Sequence, residues 1–272
     1  METKLNTTDS LTDGATVSRD IVQKPASETR STMWLVSPTR VSLHITWSCL
    51  MLDDLDFGLF NRTQETLITY DQLPHWFQPN VTVFITFRTL DSMPRAAILR
   101  MEAELRDWLH RKGLPIEPAK PLPEWSEIPH EFQKDYRQLS SRLWHGELDQ
   151  CHGECVLKNP QLSLEVLNAL RYFDGTRYDL DCAVIMPNHA HLLVQFHSGT
   201  TCVDQCNSWL KFTATKINRF LNRKGHFWMS EPFDHLVRSP EQFQYLRWYI
   251  QNNGPRAGLN VCEYRYWNRS ML

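Results

Sequence analysis

The stretch "VIMPNHAHLLVQF", residues 184–196, is where the fold of this chain can be read first. Pro187 and Asn188 interrupt an otherwise apolar run, and a two-residue break between strand-like segments marks a tight hairpin. In a strand, successive side chains point to opposite faces, so residues i and i+2 share one. His189 and His191 therefore stand side by side, with Ala190 turned the other way. Two imidazoles on one face read either as a metal clamp or as polar positions on a solvated strand.

Working outward, "YDLDCAVIMP" (178–187) supplies the first strand of that hairpin, and "VTVFITFRT" (81–89) alternates β-branched and aromatic residues as a further strand. Residues 94–113 open on Pro94, keep helical spacing through Ile98, Leu99, Leu105 and Leu109, and stop at Gly113. A proline-rich linker (114–129) follows, then short helical patterns over 130–145 and 160–172. After the hairpin come a helix over 201–225 ending at Gly225, an extended segment over 226–238, and a helix over 239–254. The last has Ser239 as N-cap, Pro240 at its first position and Gly254 at its end.

The order β-α-(insert)-β-β-α-β-α predicts an α+β fold. It is a ferredoxin-like four-stranded antiparallel sheet with helices packed on it, plus an N-terminal extension. The expected layout is an extension over 1–70, a core domain over 71–265 with 114–175 inserted, and a tail over 266–272. The first 30 or so residues are polar and are expected to be disordered. Apolar patches such as "VSLHITWSCLML" within 33–68 show no clear period.

At 272 residues, 42% hydrophobic and 22% charged, the chain has the make-up of a soluble globular protein. No apolar run approaches the ~20 residues of a membrane span, and the N-terminus lacks the basic start and apolar core of a secretory signal. Seven scattered cysteines suit reduced thiols, so a cytoplasmic location is expected. The net charge of −2 hides an asymmetry: residues 202–272 hold 10 basic and 5 acidic side chains. Local patches govern phosphate affinity more than totals do.

In the last helix Tyr249 and Asn253 are four apart and share a face. Two imidazoles plus the Asn253 amide oxygen make a mixed N,N,O site with open positions, suited to Mg²⁺ or Mn²⁺ more loosely than to Zn²⁺. A metal there would polarise a phosphate oxygen, with Tyr249 as the adjacent nucleophile.

Four ordered segments, "MPNHAHLLV", "LKFTATKINRFL", "FW…FDHLVR" and "YIQNNGPRAGL", together with "LPHWFQPNVTVFITFRTLDSMP" (73–94), resemble the REP-associated tyrosine transposases. These are bacterial single-tyrosine relatives of the HUH (His-hydrophobic-His) endonucleases. The resemblance covers about residues 70–265. It implies the ferredoxin-like fold, His189 and His191 as metal ligands, Asn253 as the third ligand and Tyr249 as the nucleophile. It also implies single-stranded hairpin DNA as the partner, cut and rejoined in transposition through a 5′-phosphotyrosine. A monomer or homodimer is expected, with no membrane partner. The family reads Asn-Pro at the end of the tyrosine helix, whereas this chain reads "NNGP", with Gly254 in the proline's place.

Two rivals stand beside this reading: a domesticated relative that holds hairpin DNA or RNA without cutting, and a small-molecule metallohydrolase. Tyr249 could be a packed helical aromatic, with Tyr245 on a neighbouring face, and Asn253 a helix-end residue. Lys211, Lys216, Arg219, Arg223 and Lys224 read as a backbone-tracking DNA surface or as a solvated helix face, and Arg238 joins that DNA-binding set. Trp228 and Phe227 read as base-stacking or buried. His235 either approaches the site or caps the sheet edge. Cys151 and Cys155, with His145 and His152 nearby, form only half of a zinc pattern, and Cys202 and Cys206 read as core.

Overall fold

The computed structural model describes residues 22–23, 57–70 and 74–271. The expectations for the rest of the N-terminal extension lie outside the described residues. The chain runs β1 (Val22–Gln23), β2 (Leu67–Tyr70), β3 (Pro74–Phe77), β4 (Thr82–Arg88), α1 (Arg95–Arg111), α2 (His130–Asp149) and α3 (Pro160–Arg171). It continues through β5 (Tyr178–Ile185), β6 (His189–Phe196), α4 (Cys202–Phe220), β7 (Phe233–Leu236), α5 (Pro240–Arg256) and β8 (Arg265–Asn268).

The principal sheet has the order β7-β4-β6-β5-β8, every pair antiparallel. Without β8 this is the expected four-stranded ferredoxin-like core. The fifth strand, Arg265–Asn268, lies mostly in the expected tail over 266–272; Cys182 pairs with Asn268 and Ile185 with Arg265. Four residues at a chain end carry too short a pattern to be read as a strand without a partner in view.

The sheet's two faces bury different cores. Ala190, Leu192, Val194 and Phe196 of β6 join Val83, Ile85 and Phe87 of β4 against α3 and α4. Leu193 of β6 and Phe84 of β4 join Phe243, Leu246 and Ile250 of α5 on the opposite face. Strand parity inverts within β5: Tyr178 and Leu180 face α3 and α4, while Cys182 and Val184 face α5. The cause is a β-bulge between Leu180 and Cys182, which leaves Asp181 as the extra residue.

The helix covering the sheet in the first crossover is α3, capped by Asn159, whose side chain accepts from the Gln161 N–H. Its Leu162, Val166, Leu167 and Leu170 all enter the sheet core. α1 and α2 instead pack on each other through Leu105, Leu109, Tyr136 and Leu139. The inserted piece is thus an α1–α2 hairpin, displaced from the expected 114–175, because periodicity shows that a helix has an apolar face but not what covers it. α4 stops at Phe220 rather than at Gly225, since Asn222 takes the left-handed conformation (φ +51°) that ends the helix. Among the described residues no helix is long and apolar enough to cross a membrane.

Residues 57–60 lie against the sheet, with the Phe57 ring 5.6 Å from that of Phe243. Gly58 is obligatory here, because a Cβ would lie 1.9 Å from the Asn80 carbonyl oxygen. The small sheet β1-β2-β3 is tied to β7 by His75, which bonds to Asp234 and, at 2.8 Å, to Glu231. The bond to Asp234 raises the His75 pKa from 6.5 to about 9, against the opposing effect of burial. A folded pKa above the unfolded one means stability that is full below pH 6.5 and drains away as pH climbs through about 9. Asp234, pushed up by burial, shifts stability in the same direction. The melting temperature is therefore expected to fall between pH 6 and pH 9.5. In His75→Gln that decline should be much shallower, and an equal decline in both proteins would dismiss the triad as its source.

Candidate active site

β6 is the central strand, and its first residues present His189 and His191 toward α5, with ring centroids 4.7 Å apart. Both are fully buried. On α5, Tyr249 brings its hydroxyl 3.3 Å from His191 Nε2. Asn253 lies one turn further along the same helix and is also fully buried. The strand and helix positions predicted from alternation and i,i+4 spacing thus converge at one place.

Each imidazole is held through its other nitrogen. Thr86 Oγ1 on β4 lies 2.8 Å from His191 Nδ1, and Asn188 Oδ1 accepts from His189 Nδ1 at 2.7 Å. This fixes His189 in the tautomer whose Nε2 carries the lone pair. His189 Nε2 and Asn253 Oδ1 are buried without a hydrogen-bond partner. Such orphans cost free energy unless something outside the protein occupies them. Burial, opposed only in part by the facing Asn253 side chain, pushes His189 down to about 3. Burial, with His189 and His145 nearby, holds His191 well below the usual histidine range. Both are therefore neutral at physiological pH, the form that ligates metal. Among the described residues no three His, Cys, Asp or Glu side chains converge on one point. A metal here would need the Asn253 amide as its third protein donor, and the two orphaned atoms fit that role.

α2 supplies a wall that the sequence pattern did not announce. The His145 ring lies 5.8 Å from Tyr249 and 6.1 Å from His191, centroid to centroid. Asp149 accepts from Asn253 Nδ2 at 3.4 Å, and burial lifts its carboxyl to about 6. Burial, with Asp149 adding to it, raises the Tyr249 phenol well above 10, while Arg256 opposes. The Arg256 guanidinium stands 5.6 Å from the Tyr249 ring centroid, seven residues along the same helix. A cavity of about 210 Å³ opens between α2 and α5, lined by Arg142, His145, Asp149, His235, Tyr249 and Arg256 among others. It is smaller than the ~300–1,000 Å³ pockets that bury drug-sized ligands, and a phosphodiester fits within it.

Several predicted residues lie elsewhere. Lys211, Lys216 and Arg219 stand exposed on α4, across the sheet from the two histidines. Arg223 pairs with Glu154, and Lys224 is exposed in the turn after α4. Trp228 does not offer a stacking surface: it is buried in the α3/α4 core and donates from Nε1 to Thr213 Oγ1 at 2.8 Å. Phe227 is likewise buried. Tyr245, expected on a neighbouring face, lines the same cavity as Tyr249. His235 sits in the cavity wall with its ring 5.1 Å from Phe84. Cys155 donates to the Cys151 carbonyl, closing a local turn, and Cys202 and Cys206 are buried core thiols.

Gly254 does not end α5, which continues through it and Pro255 to Arg256. A Cβ at Gly254 would come within 2.4 Å of the Tyr264 ring. The glycine of "NNGP" thus admits an aromatic ring against the back of the tyrosine helix.

No family model matches the chain, and no curated protein matches it. Among solved structures it is similar to a REP-associated tyrosine transposase bound to a REP hairpin, at 11% identity and a TM-score of 0.36. That similarity covers 70% of this chain and 76% of the other.

Proposed function

We propose that the protein cleaves and rejoins single-stranded DNA, folded as a hairpin, through a covalent link to Tyr249. The observation that carries this reading is the 3.3 Å approach of the Tyr249 hydroxyl to His191 Nε2, beside a second histidine and an asparagine whose acceptor atoms are buried and unfilled. The hairpin DNA is proposed from the order of the sequence motifs.

His189, His191 and Asn253 would hold Mg²⁺ or Mn²⁺, which when bound supplies positive charge to a non-bridging phosphate oxygen. The chain's own residues do the rest. Arg142 and Arg256 bring cationic charge to the cavity that receives the scissile phosphate. The Tyr249 oxygen attacks phosphorus, and the bond from phosphorus to the 3′-oxygen breaks. The product is a 5′-phosphotyrosine and a 3′-hydroxyl, so one proton leaves the phenol and one reaches the departing oxygen. Asp149, elevated to about 6, is the carboxylate beside this exchange. Reversal by a 3′-hydroxyl restores the tyrosine with no external energy source.

A second reading, hairpin binding without cleavage, draws on the burial of the phenol and its raised pKa, both of which oppose the phenolate. Labelled hairpin oligonucleotides incubated with Mn²⁺ or Mg²⁺ separate the two. A protein–DNA adduct that survives denaturation and disappears with EDTA is expected. DNA that is shifted but never linked would favour the binding module.

A further inference from the structure

Next to the tyrosine cavity is a cationic cluster that the cleavage reaction does not use. Arg238 lies at the junction of β7 and α5, its backbone N–H bonded to Gln242 Oε1 at 2.8 Å. Its guanidinium sits 5.7 Å from the Phe60 ring centroid, and its Nε and Nη1 are buried with no hydrogen-bond partner. Three residues back, both ring nitrogens of His235 are also buried and unpartnered. A guanidinium carries five donors and no acceptor, so it is satisfied only by oxygen or another acceptor. Among the described residues Arg238 has no carboxylate partner. Burial lowers its pKa, and Arg62 and Arg137 are near enough to lower it further.

This arrangement is costly in an empty protein. Leaving two buried guanidinium donors without acceptors is unfavourable, and the positive charges of Arg62 and Arg137 add to that cost. The Phe60 ring offsets part of that cost, and one oxyanion would satisfy the two remaining donors, Nε and Nη1.

We propose that Arg238, flanked by Arg62 and Arg137 and bordered by His235, is a binding subsite for a phosphate group. On the reading above, from which this extension follows, it receives a backbone phosphate neighbouring the scissile one. His235 belongs at once to the cavity wall and to the surroundings of Arg238, so one strand can occupy both. Tyr249 makes the covalent link, while Arg238 positions the strand and forms no bond to it.

The test uses the full chain and Arg238→Gln, first by thermal unfolding in sodium phosphate against sodium chloride at matched ionic strength. Phosphate is expected to raise the melting temperature of the wild type and not of R238Q. Without phosphate, R238Q is expected to be at least as stable as the wild type, because an unpaired buried cation has been removed. A merely structural arginine would do the opposite. Equal phosphate responses in the two proteins, or a destabilised R238Q in chloride, would overturn the proposal. Should R238Q fail to fold, a wild type without any phosphate-specific shift overturns it equally.

The second arm measures binding of a twelve-residue oligothymidylate across a salt series. R238Q is expected to flatten the plot of log affinity against log salt by about 0.7, the share of one phosphate contact on a single strand. An unchanged slope beside a lost phosphate response would assign the site to free phosphate and overturn its role on the strand. The phosphate shift needs no covalent adduct, so failure of the cleavage reading and failure of this subsite are distinguishable.

Discussion

Tyr249→Phe is expected to abolish the metal-dependent protein–DNA adduct, by at least about a thousandfold, while leaving fold and DNA binding close to wild type. The substitution removes one oxygen. The ring keeps its neighbours, with Phe84 at 6.2 Å, His145 at 5.8 Å and Tyr245 at 6.5 Å between centroids. The lost hydrogen bond to His191 is long, but both partners are buried and His191 Nε2 is left unpaired, so the stability loss should be about 1–3 kcal/mol. Tyr245→Phe is the necessary control, since both phenols line one cavity. If Y249F forms adduct at the wild-type rate and Y245F does not, the nucleophile is Tyr245. Loss in neither would remove tyrosine from the mechanism.

The second large effect concerns what aims the tyrosine helix. Arg247 of α5 donates from Nε to both carboxylate oxygens of Asp181, at 3.0 and 2.8 Å, and Asp181 is buried. Asp181 is the bulge residue of β5: alternation from Leu180 already turns its carboxylate toward α5, and the bulge keeps Cys182 on that same face. Arg247→Met leaves that carboxylate buried and uncompensated, a loss of about 3–5 kcal/mol. For a chain of this size the melting temperature should drop by roughly 6–20 °C. Removing both partners, as Asp181→Leu with Arg247→Met, should recover most of it, because an apolar pair of similar volume often replaces a buried ion pair at little cost. A single variant with an unchanged melting temperature would show that α5 is held by its apolar face alone.

Much of the site was legible in the residues themselves. Period-two alternation placed His189 and His191 together, and helical spacing placed Tyr249 above Asn253, because both relations are local. The contributions of α2 were not legible: His145 and Asp149 look like ordinary positions on an amphipathic helix, and only tertiary packing turns them toward the tyrosine. Thr86 and Asn188, which hold the imidazoles, are polar residues of types common in any strand or turn. Arg256 was within reach, since seven residues from Tyr249 is two helical turns. The basic stripe of α4 was seen, but a helix's own pattern cannot say which side of a sheet it will cover. Trp228 illustrates the same limit, as an aromatic in an extended segment reads equally as a platform or as core.

The split between the sheet's two faces has a consequence for how such a chain can change. The two histidines and Tyr249 occupy one side and the α4 cations the other, with β6 as the wall between them. Substitutions accumulating on α4 alter charge, solubility and association without touching a single atom of the tyrosine cavity. The same wall makes the exposed face of α4 a safe anchorage for a fluorophore or a surface tether, leaving the tyrosine cavity on the far side free for the assays above.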